Sequence, residues 1–115
     1  MAIQAKTEDR IQQECVIWFR NNHLDIRNML FSVPNGGYRN AREAKKMRDT
    51  GATAGVSDLI FLYQGKSYMI EMKKESGRQS SHQIKWQQDV EKQGFGYFIC
   101  YSLEDFKQVI NSIVG

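Results

Sequence analysis

The stretch YMIEMKK, residues 68–74, has the apolar and aromatic composition of a buried strand but carries a glutamate in its middle. Lys73 follows Glu71 by two residues, so both side chains would point to one face of a sheet, whereas Lys74 points to the other. A carboxylate can bind a hard divalent cation, and a neighbouring ammonium can orient a water molecule and stabilise charge developing on a phosphate. The spacing favours phosphate chemistry; the ordinary alternative is a salt bridge at the end of a strand.

A second carboxylate is expected opposite Glu71. The strand-like segments DLIFLY and SYMIEMK are separated by QGK, which predicts a hairpin that turns about Gln64 and Gly65. Counting outward from that turn places Asp58 directly across from Glu71. Facing Cβ atoms lie roughly 5 Å apart, so the two carboxylates would repel by about 3 kcal/mol at an effective dielectric constant of about 20. A divalent cation such as Mg²⁺ bound by both would reverse the sign of that interaction.

Other segments predict the elements that position these side chains. Capping residues and apolar periodicity predict helices at about 7–21, 40–51 and 80–93, and a last helix after Ser102. Two further strands are predicted in NMLFSVP and GYFICY. The order α-β-α-β-β-α-β-α is typical of an α/β fold in which helices flank a mixed β-sheet. Residues 1–115 are therefore expected to form one domain.

Composition and the absence of targeting patterns predict a globular domain in the cytoplasm. Of the 115 residues, 41% are hydrophobic and 25% are charged, which is ordinary for a globular domain. The sequence has neither a signal peptide nor an apolar run long enough to cross a membrane, so no membrane partner is expected. Cys15 and Cys100 lie in apolar segments without the spacing of metal ligands, which predicts buried free thiols in a reducing cytoplasm.

The order of short motifs along the chain resembles the PD-(D/E)xK nuclease superfamily. The motifs are G-x-x-D-L in GVSDL, E-x-K in IEMKK and S-x-x-Q in SSHQ. The run PNGGYRNAREAKKMRDTGATAGVSDL resembles the virus-type replication-repair nuclease branch, VRR-NUC, and the resemblance covers nearly the whole chain. It implies a restriction-endonuclease-like core and a DNA endonuclease that uses Mg²⁺ or Mn²⁺ to hydrolyse phosphodiester bonds, in the cytoplasm of a bacterium or of a phage-infected host cell.

The resemblance also implies roles for individual residues. Asp58 and Glu71 match the acidic metal ligands, and the backbone carbonyl of Met72 lies where the family has a further ligand. Lys73 matches the catalytic lysine. Gln83 matches the glutamine of S-x-x-Q, which would orient the lysine or a water molecule. That spacing is also the spacing of a capping box at a helix start, and the two roles do not exclude each other.

A glutamate of the first helix completes the catalytic set that the resemblance implies. At 100° per residue, Glu8 falls near the middle of the apolar stripe that contains Ile11, Cys15 and Phe19, and Glu14 falls on the flank of the stripe. The stretch TEDRIQ also resembles the family's helix start. Glu8 is therefore predicted as the site residue; the alternative is that it only complements the helix dipole in the first turn.

Basic residues close to a glycine turn predict a nucleic-acid interface. Phosphates attract clustered cations without reading sequence, and backbone amides at a glycine turn can approach a phosphate. A solvated helix face is the ordinary alternative. The predicted DNA-binding residues are Gly36, Gly37, Arg39, Arg42, Lys45, Lys46 and Arg78.

The size of the chain leads to an expectation about its substrate and its oligomeric state. One small domain carries one active site, whereas a four-way (Holliday) junction needs two symmetric cuts, which a C2 homodimer provides. Stand-alone members of the family resemble junction resolvases, so the predicted substrate is branched DNA. Two alternatives stay open: a duplex or flap nuclease without junction preference, and a nucleic-acid-binding module that keeps the fold but does not cut.

Overall fold

A computed structural model of the chain describes residues 6–34 and 40–115. The helices and strands follow the predicted order. They are α1 (Glu8–Asn22), β1 (Leu30–Ser32), α2 (Ala41–Asp49), β2 (Leu59–Tyr63), β3 (Lys66–Met72), α3 (Ser81–Lys92), β4 (Gly96–Cys100) and α4 (Leu103–Val114).

The first predicted strand is shorter than expected. A 3₁₀ helix at Leu24–Met29 occupies the start of the NMLFSVP segment, and strand geometry is limited to three residues. The 3₁₀ helix has a kink at Ile26 and buries no residue, so its sequence has no apolar period by which it could be recognised.

Capping side chains begin each of the four α-helices, as the sequence predicts. In every case the side-chain oxygen of the N-cap residue accepts a hydrogen bond from the backbone N–H three residues later, which satisfies an amide that the helix itself cannot pair. The caps are Thr7 for α1, Asn40 for α2, Ser80 for α3 and Ser102 for α4, at 2.9–3.2 Å.

The strands form one sheet in the order β1-β2-β3-β4. The first three strands are antiparallel, and β4 pairs parallel to β3 after the chain crosses through α3. The hairpin turns at Gln64 and Gly65, both with positive φ, as a two-residue primed turn requires. Tyr63 pairs with Lys66 and Leu59 with Ile70, so the predicted register is confirmed.

Apolar residues of α1 and α4 cover one face of the sheet and form the core with it. Phe19 and Phe106, both fully buried, are among the largest side chains of this core. Cys15 and Cys100 are also fully buried and are free thiols, as predicted, and burial raises the pKa of each to about 12. Such thiols are poor nucleophiles and stabilise the fold by packing.

The opposite face of the sheet carries Glu71 and is only partly covered. Helix α3 lies over the β4 side of this face, where Trp86 and Val90 line a groove with Met69 of β3. On the β1–β2 side, Phe31 and Leu62 expose 40% and 37% of their surface. The predicted fold class, a mixed sheet flanked by helices, is confirmed.

Helix α2 differs from the other α-helices because it buries no residue. It begins after residues 35–39, which lie outside the described residues, and its basic side chains are exposed. Across residues 6–34 and 40–115, no helix has both the length and the apolar composition that a membrane span requires.

Candidate active site

Four segments meet where β3 ends. They are the residues just before β2, the last residues of β3, the start of α1 and the loop between β3 and α3. Because β3 is a central strand, polar side chains at its end are buried by neighbours on both sides. This end of the sheet holds all of the catalytic and metal-binding residues predicted from sequence except Gln83, whose side chain is engaged at the start of α3.

Asp58 lies one residue before β2 and is held from two sides. Its carbonyl accepts the Val33 N–H at 2.9 Å, which extends the β1–β2 pairing, and its carboxylate Oδ2 accepts the Met72 N–H at 2.7 Å. Extending the register by one step from Leu59 and Ile70 places Asp58 opposite Glu71, as predicted. The carboxylate is therefore fixed across the end of β3.

Burial raises the pKa of Asp58 above its ordinary value of 3.8. The Met72 N–H opposes this rise, the carboxylates of Glu71 and Glu8 add to it, and the Lys73 ammonium opposes it. The predicted repulsion between facing carboxylates thus acts in the folded chain, although each carboxylate has hydrogen-bond donors of its own.

Replacing Asp58 with asparagine is expected to stabilise the metal-free protein at pH 7. An acid whose pKa is raised by folding contributes stability that is present below its unfolded-state pKa and is lost as the pH rises through its folded-state pKa. Asparagine keeps an oxygen for the Met72 N–H and carries no charge, so thermal unfolding in chelator should show a higher midpoint at pH 7. The gain should shrink as the pH falls towards 4; a gain independent of pH would contradict this cause.

Glu71 is fully buried, which is rare for a carboxylate without compensation. Its Oε1 accepts two hydrogen bonds, from the Tyr97 hydroxyl at 2.5 Å and from Gln79 Nε2 at 3.1 Å. Its Oε2 is buried and has no hydrogen-bond partner among the described residues. A buried, unpaired carboxylate oxygen costs free energy, and a bound cation would compensate for it.

These donors fit a hard divalent cation. The oxygen ligands would be the Asp58 carboxylate, Glu71 Oε2 and the Met72 carbonyl, which points to the same side as the Met72 N–H because N–H and C=O of one strand residue face the same neighbour. Among the described residues, no three His, Cys, Asp or Glu side chains are grouped so as to hold a metal ion. Mg²⁺ is commonly bound by two carboxylates and a carbonyl, with water and phosphate oxygens in the remaining coordination positions.

The two lysines after Glu71 differ as the strand alternation predicts. Lys73 is only 7% exposed, and its N–H donates to the Cys100 carbonyl at 3.0 Å, which extends the β3–β4 pairing by one residue. Lys74 is exposed. The loop folds back closely at Gly77, where a Cβ atom would lie 3.3 Å from Lys73 Cδ. Lys73 is therefore buried beside the carboxylates.

Glu8 lies at this site and Glu14 does not. Glu8 Oε2 accepts a long hydrogen bond of 3.4 Å from the Lys74 N–H and lies 3.4 Å from the position of a Cβ atom at Gly77. Glu14 instead pairs with Lys6 at 2.8 Å, and this pairing lowers the pKa of Glu14. The first turn of α1 is thus directed to the end of β3, whereas Glu14 belongs to a surface ion pair.

Exchanging each glutamate for alanine is expected to separate the two positions. Glu8→Ala should reduce the cleavage rate by about 10-fold or more, because it removes a charged group beside Lys73 and Asp58. Glu14→Ala removes a solvent-screened ion pair away from the end of β3 and should leave cleavage nearly unchanged. Single-turnover rates at saturating Mg²⁺ measure both, and a larger loss from Glu14→Ala would overturn the assignment of Glu8.

The Gln83 side chain completes the capping box at the start of α3. Its Oε1 accepts a hydrogen bond from the Ser80 N–H at 2.8 Å, and the backbone N–H of Gln83 donates to Ser80 Oγ at 3.2 Å. The capping prediction is confirmed, and a role for Gln83 in orienting Lys73 or a water molecule stays a prediction. The glutamine that contacts the buried carboxylate is Gln79, which sequence reasoning missed.

Tyr97 and Gln87 were also missed. Tyr97 belongs to β4, which the chain reaches only after α3, and Gln87 Oε1 accepts a hydrogen bond from Gln79 Nε2 at 2.8 Å. A parallel β3–β4 register would have placed Tyr97 on the face of Glu71, but the sequence does not specify that register. Neither glutamine belongs to a motif that could have indicated it.

The predicted DNA-binding side chains that the structure describes are all exposed. Arg42, Lys45 and Lys46 lie on α2, and Arg78 lies in the loop that leads to α3. Lys45 is paired with Asp49 at 2.5 Å. Gly36, Gly37 and Arg39 lie outside the described residues. The interface prediction therefore stays a prediction, supported by the exposure of these cations.

Comparisons with known proteins identify the family and the fold of this chain. The family model of the VRR-NUC domain matches residues 2–104. A solved structure described as a VRR_NUC domain protein superposes with a TM-score of 0.81 at 20% sequence identity, covering 96% of this chain and 89% of that one, and shows that the fold is shared. A search of curated proteins finds no match. The chain belongs to the VRR-NUC family, within a superfamily of nucleases.

Proposed function

We propose that this protein is an endonuclease that hydrolyses phosphodiester bonds in DNA and depends on Mg²⁺ or Mn²⁺. The observation that carries the proposal is the buried Glu71 Oε2, an unpaired carboxylate oxygen, beside the fixed Asp58 carboxylate and the buried Lys73. A purely structural cluster would leave that oxygen unexplained. Family membership supports the nuclease reaction and the contact with DNA.

The divalent cation would be held by Asp58, Glu71 and the Met72 carbonyl. When bound, it would lower the pKa of a coordinated water and neutralise charge on the phosphate. The chain's own residues have separate tasks. The Met72 N–H fixes the Asp58 carboxylate, and Lys73 orients the attacking water and stabilises the charge that develops on the phosphate.

Exposed cations would bind the DNA backbone. Helix α2 presents Arg42, Lys45 and Lys46 away from the core. Arg78 lies in the loop between β3 and α3, a few residues after Glu71 in the sequence. Contacts with phosphates give affinity without sequence specificity, so cleavage should depend on DNA shape rather than on base sequence. Binding should weaken steeply as salt is raised.

A metal titration tests the reaction. The purified protein should cut DNA with Mg²⁺ or Mn²⁺ and stop when a chelator is added, while Ca²⁺ should support binding but little cutting because its looser coordination positions water poorly. Asp58→Asn protein, purified in the same way, controls for a contaminating nuclease. Full activity of the wild type in chelator would refute the metal mechanism.

Branched DNA, such as a four-way junction, and a homodimer form the finer part of the proposal. Phe31 and Leu62 on the uncovered β1–β2 side of the sheet supply exposed apolar surface of the kind found at subunit interfaces. Two related sites in a C2 dimer would allow paired cuts across a junction.

Rates on linear duplex, single strand, flap and four-way junction should be compared together with light scattering at micromolar concentration. The expected result is a dimer that cuts junctions fastest. A monomer that cuts linear duplex as fast as junctions would leave a plain metal-dependent nuclease, and binding without cutting in any metal would leave a nucleic-acid-binding module.

A further inference from the structure

The Glu71 carboxylate is hydrogen-bonded on one oxygen only. The Tyr97 hydroxyl and Gln79 Nε2 both donate to Oε1, and no donor in the part of the chain that the structure describes contacts Oε2. An ionised carboxylate can only accept hydrogen bonds, so the Tyr97 hydroxyl is the donor of this pair. The two oxygens of this carboxylate therefore have different surroundings.

The Gln79 amide has no spare hydrogen for another partner. Its Nε2 donates to Gln87 Oε1 at 2.8 Å and to Glu71 Oε1 at 3.1 Å, which accounts for the two hydrogens of the group. Gln87 belongs to α3, so the orientation of Gln79 is set by a helix rather than by the loop in which Gln79 lies. Tyr97 belongs to a different element, β4, whose parallel pairing with β3 places it beside Met69.

This arrangement removes a freedom that glutamate normally has. The terminal torsion of a glutamate side chain is broad and two-fold, so its oxygens exchange places readily. Two donors from different elements on the same oxygen select one orientation and fix the plane of the carboxylate. Within residues 6–34 and 40–115, Oε2 is left without a hydrogen-bond partner.

We propose that Tyr97 and Gln79 are positioning residues that hold Glu71 with Oε2 presented as the ligand atom for the divalent cation. The inference rests on the proposed function, since it assigns the partner of Oε2. Neither residue touches the cation or the DNA; each acts through the Glu71 carboxylate. Partners that orient a metal-binding side chain in this way typically change metal affinity by about 10- to 100-fold when they are removed.

The test measures metal binding without DNA. Mn²⁺ affinity is determined by calorimetry for the wild type, Tyr97→Phe and Gln79→Leu, with matched controls at an exposed tyrosine and an exposed glutamine, Tyr101→Phe and Gln88→Leu. We expect Tyr97→Phe and Gln79→Leu to bind Mn²⁺ about 10-fold more weakly and the controls to bind like the wild type. Gln87→Leu removes only the oxygen that accepts a hydrogen bond from Gln79, so it should weaken Mn²⁺ binding by a smaller factor.

Cleavage provides the second measurement. If the residues position a ligand, single-turnover cleavage by Tyr97→Phe should need about 10-fold more Mn²⁺ for half-maximal rate and should approach the wild-type rate at saturating metal. DNA affinity measured in chelator should not change. A general loss of structure would instead lower the rate at every metal concentration, and thermal unfolding in chelator identifies such a variant.

Two results overturn the inference in distinguishable ways. Wild-type Mn²⁺ affinity in folded Tyr97→Phe and Gln79→Leu would show that Glu71 needs no positioning, with the proposed function intact. Failure of the wild type itself to bind Mn²⁺ would remove the proposed function and the inference together. Tyr97→Phe deletes only a hydroxyl, so it decides the question if Gln79→Leu does not fold.

Discussion

Lys73→Ala is expected to reduce DNA cleavage by about 100- to 1,000-fold, the usual effect of removing one group that stabilises transition-state charge in a buried site. Lys73 is 7% exposed and lies on the same face of the sheet as Glu71. It is the buried cation beside the two carboxylates, and the other lysines and arginines that the structure describes are not buried. DNA affinity should change little, because the proposed contacts with DNA are made by the exposed cations and not by Lys73. Single-turnover rates in Mg²⁺ and fluorescence anisotropy in Ca²⁺ measure the two quantities.

Lys74→Ala is the matched control for this result. Its side chain is exposed, and its N–H, which donates to Glu8, is retained in alanine. Cleavage should stay within about threefold of the wild type, as for a surface charge. Lys73→Met, which keeps the length of the side chain, separates the lost charge from a lost contact. Equal losses from Lys73→Ala and Lys74→Ala would show that the two lysines do not differ in function.

Gly55→Ala is expected to be the most damaging of the glycine substitutions near the site. Gly55 has φ +81°, and a Cβ atom there would lie 2.3 Å from the His82 carbonyl oxygen and 2.7 Å from the Gln83 nitrogen. Both are backbone atoms in the first turn of α3, so the contact can be relieved only by moving the segment that leads to Asp58. We expect a loss of about 3 kcal/mol in the free energy of unfolding, from backbone strain and overpacking together.

Gly94→Ala supplies the control for backbone strain. Gly94 has nearly the same φ, +85°, but a Cβ atom there would have no neighbour within 4 Å. It should cost about 1 kcal/mol, the strain of an alanine in the left-handed region. Denaturant unfolding of the two variants isolates the clash with α3, and Mn²⁺ affinity reports whether Asp58 has moved. Equal losses of stability would mean that Gly55 is needed only for its φ.

The Gly55 contact also explains why the segment before Asp58 is positioned accurately. Ser57 is 1% exposed, and its Oγ accepts a hydrogen bond of 3.4 Å from Trp86 Nε1 of α3. The chain therefore touches α3 at Gly55 and again at Ser57 before it enters β2. The GVSDL motif indicates this segment in the sequence, but the reason for its glycine is the backbone of a helix that begins far along the chain.

Local sequence determined the elements and the first part of the site. Capping residues three positions from their amides set the helix starts, and a two-residue turn at Gln64 and Gly65 set the β2–β3 register. That register is enough to bring Asp58 opposite Glu71, and the side-chain alternation of a strand separates Lys73 from Lys74. Each of these features depends on residues that are close together in the chain, so it can be predicted from a short stretch of the sequence.

Tertiary structure alone decided which groups surround the buried carboxylate. Tyr97 reaches Glu71 only because β4 pairs parallel to β3, and Gln79 does so because α3 holds it through Gln87. The same packing leaves α2 without a buried residue. Parallel pairing and helix packing are set by the fit of whole surfaces that are distant in sequence, and no spacing within the chain encodes them. The sequence by itself therefore specified the charged groups of this site. The packing of β4 and α3 specified which donors reach Glu71 Oε1, and it left Oε2 without a donor from the described residues.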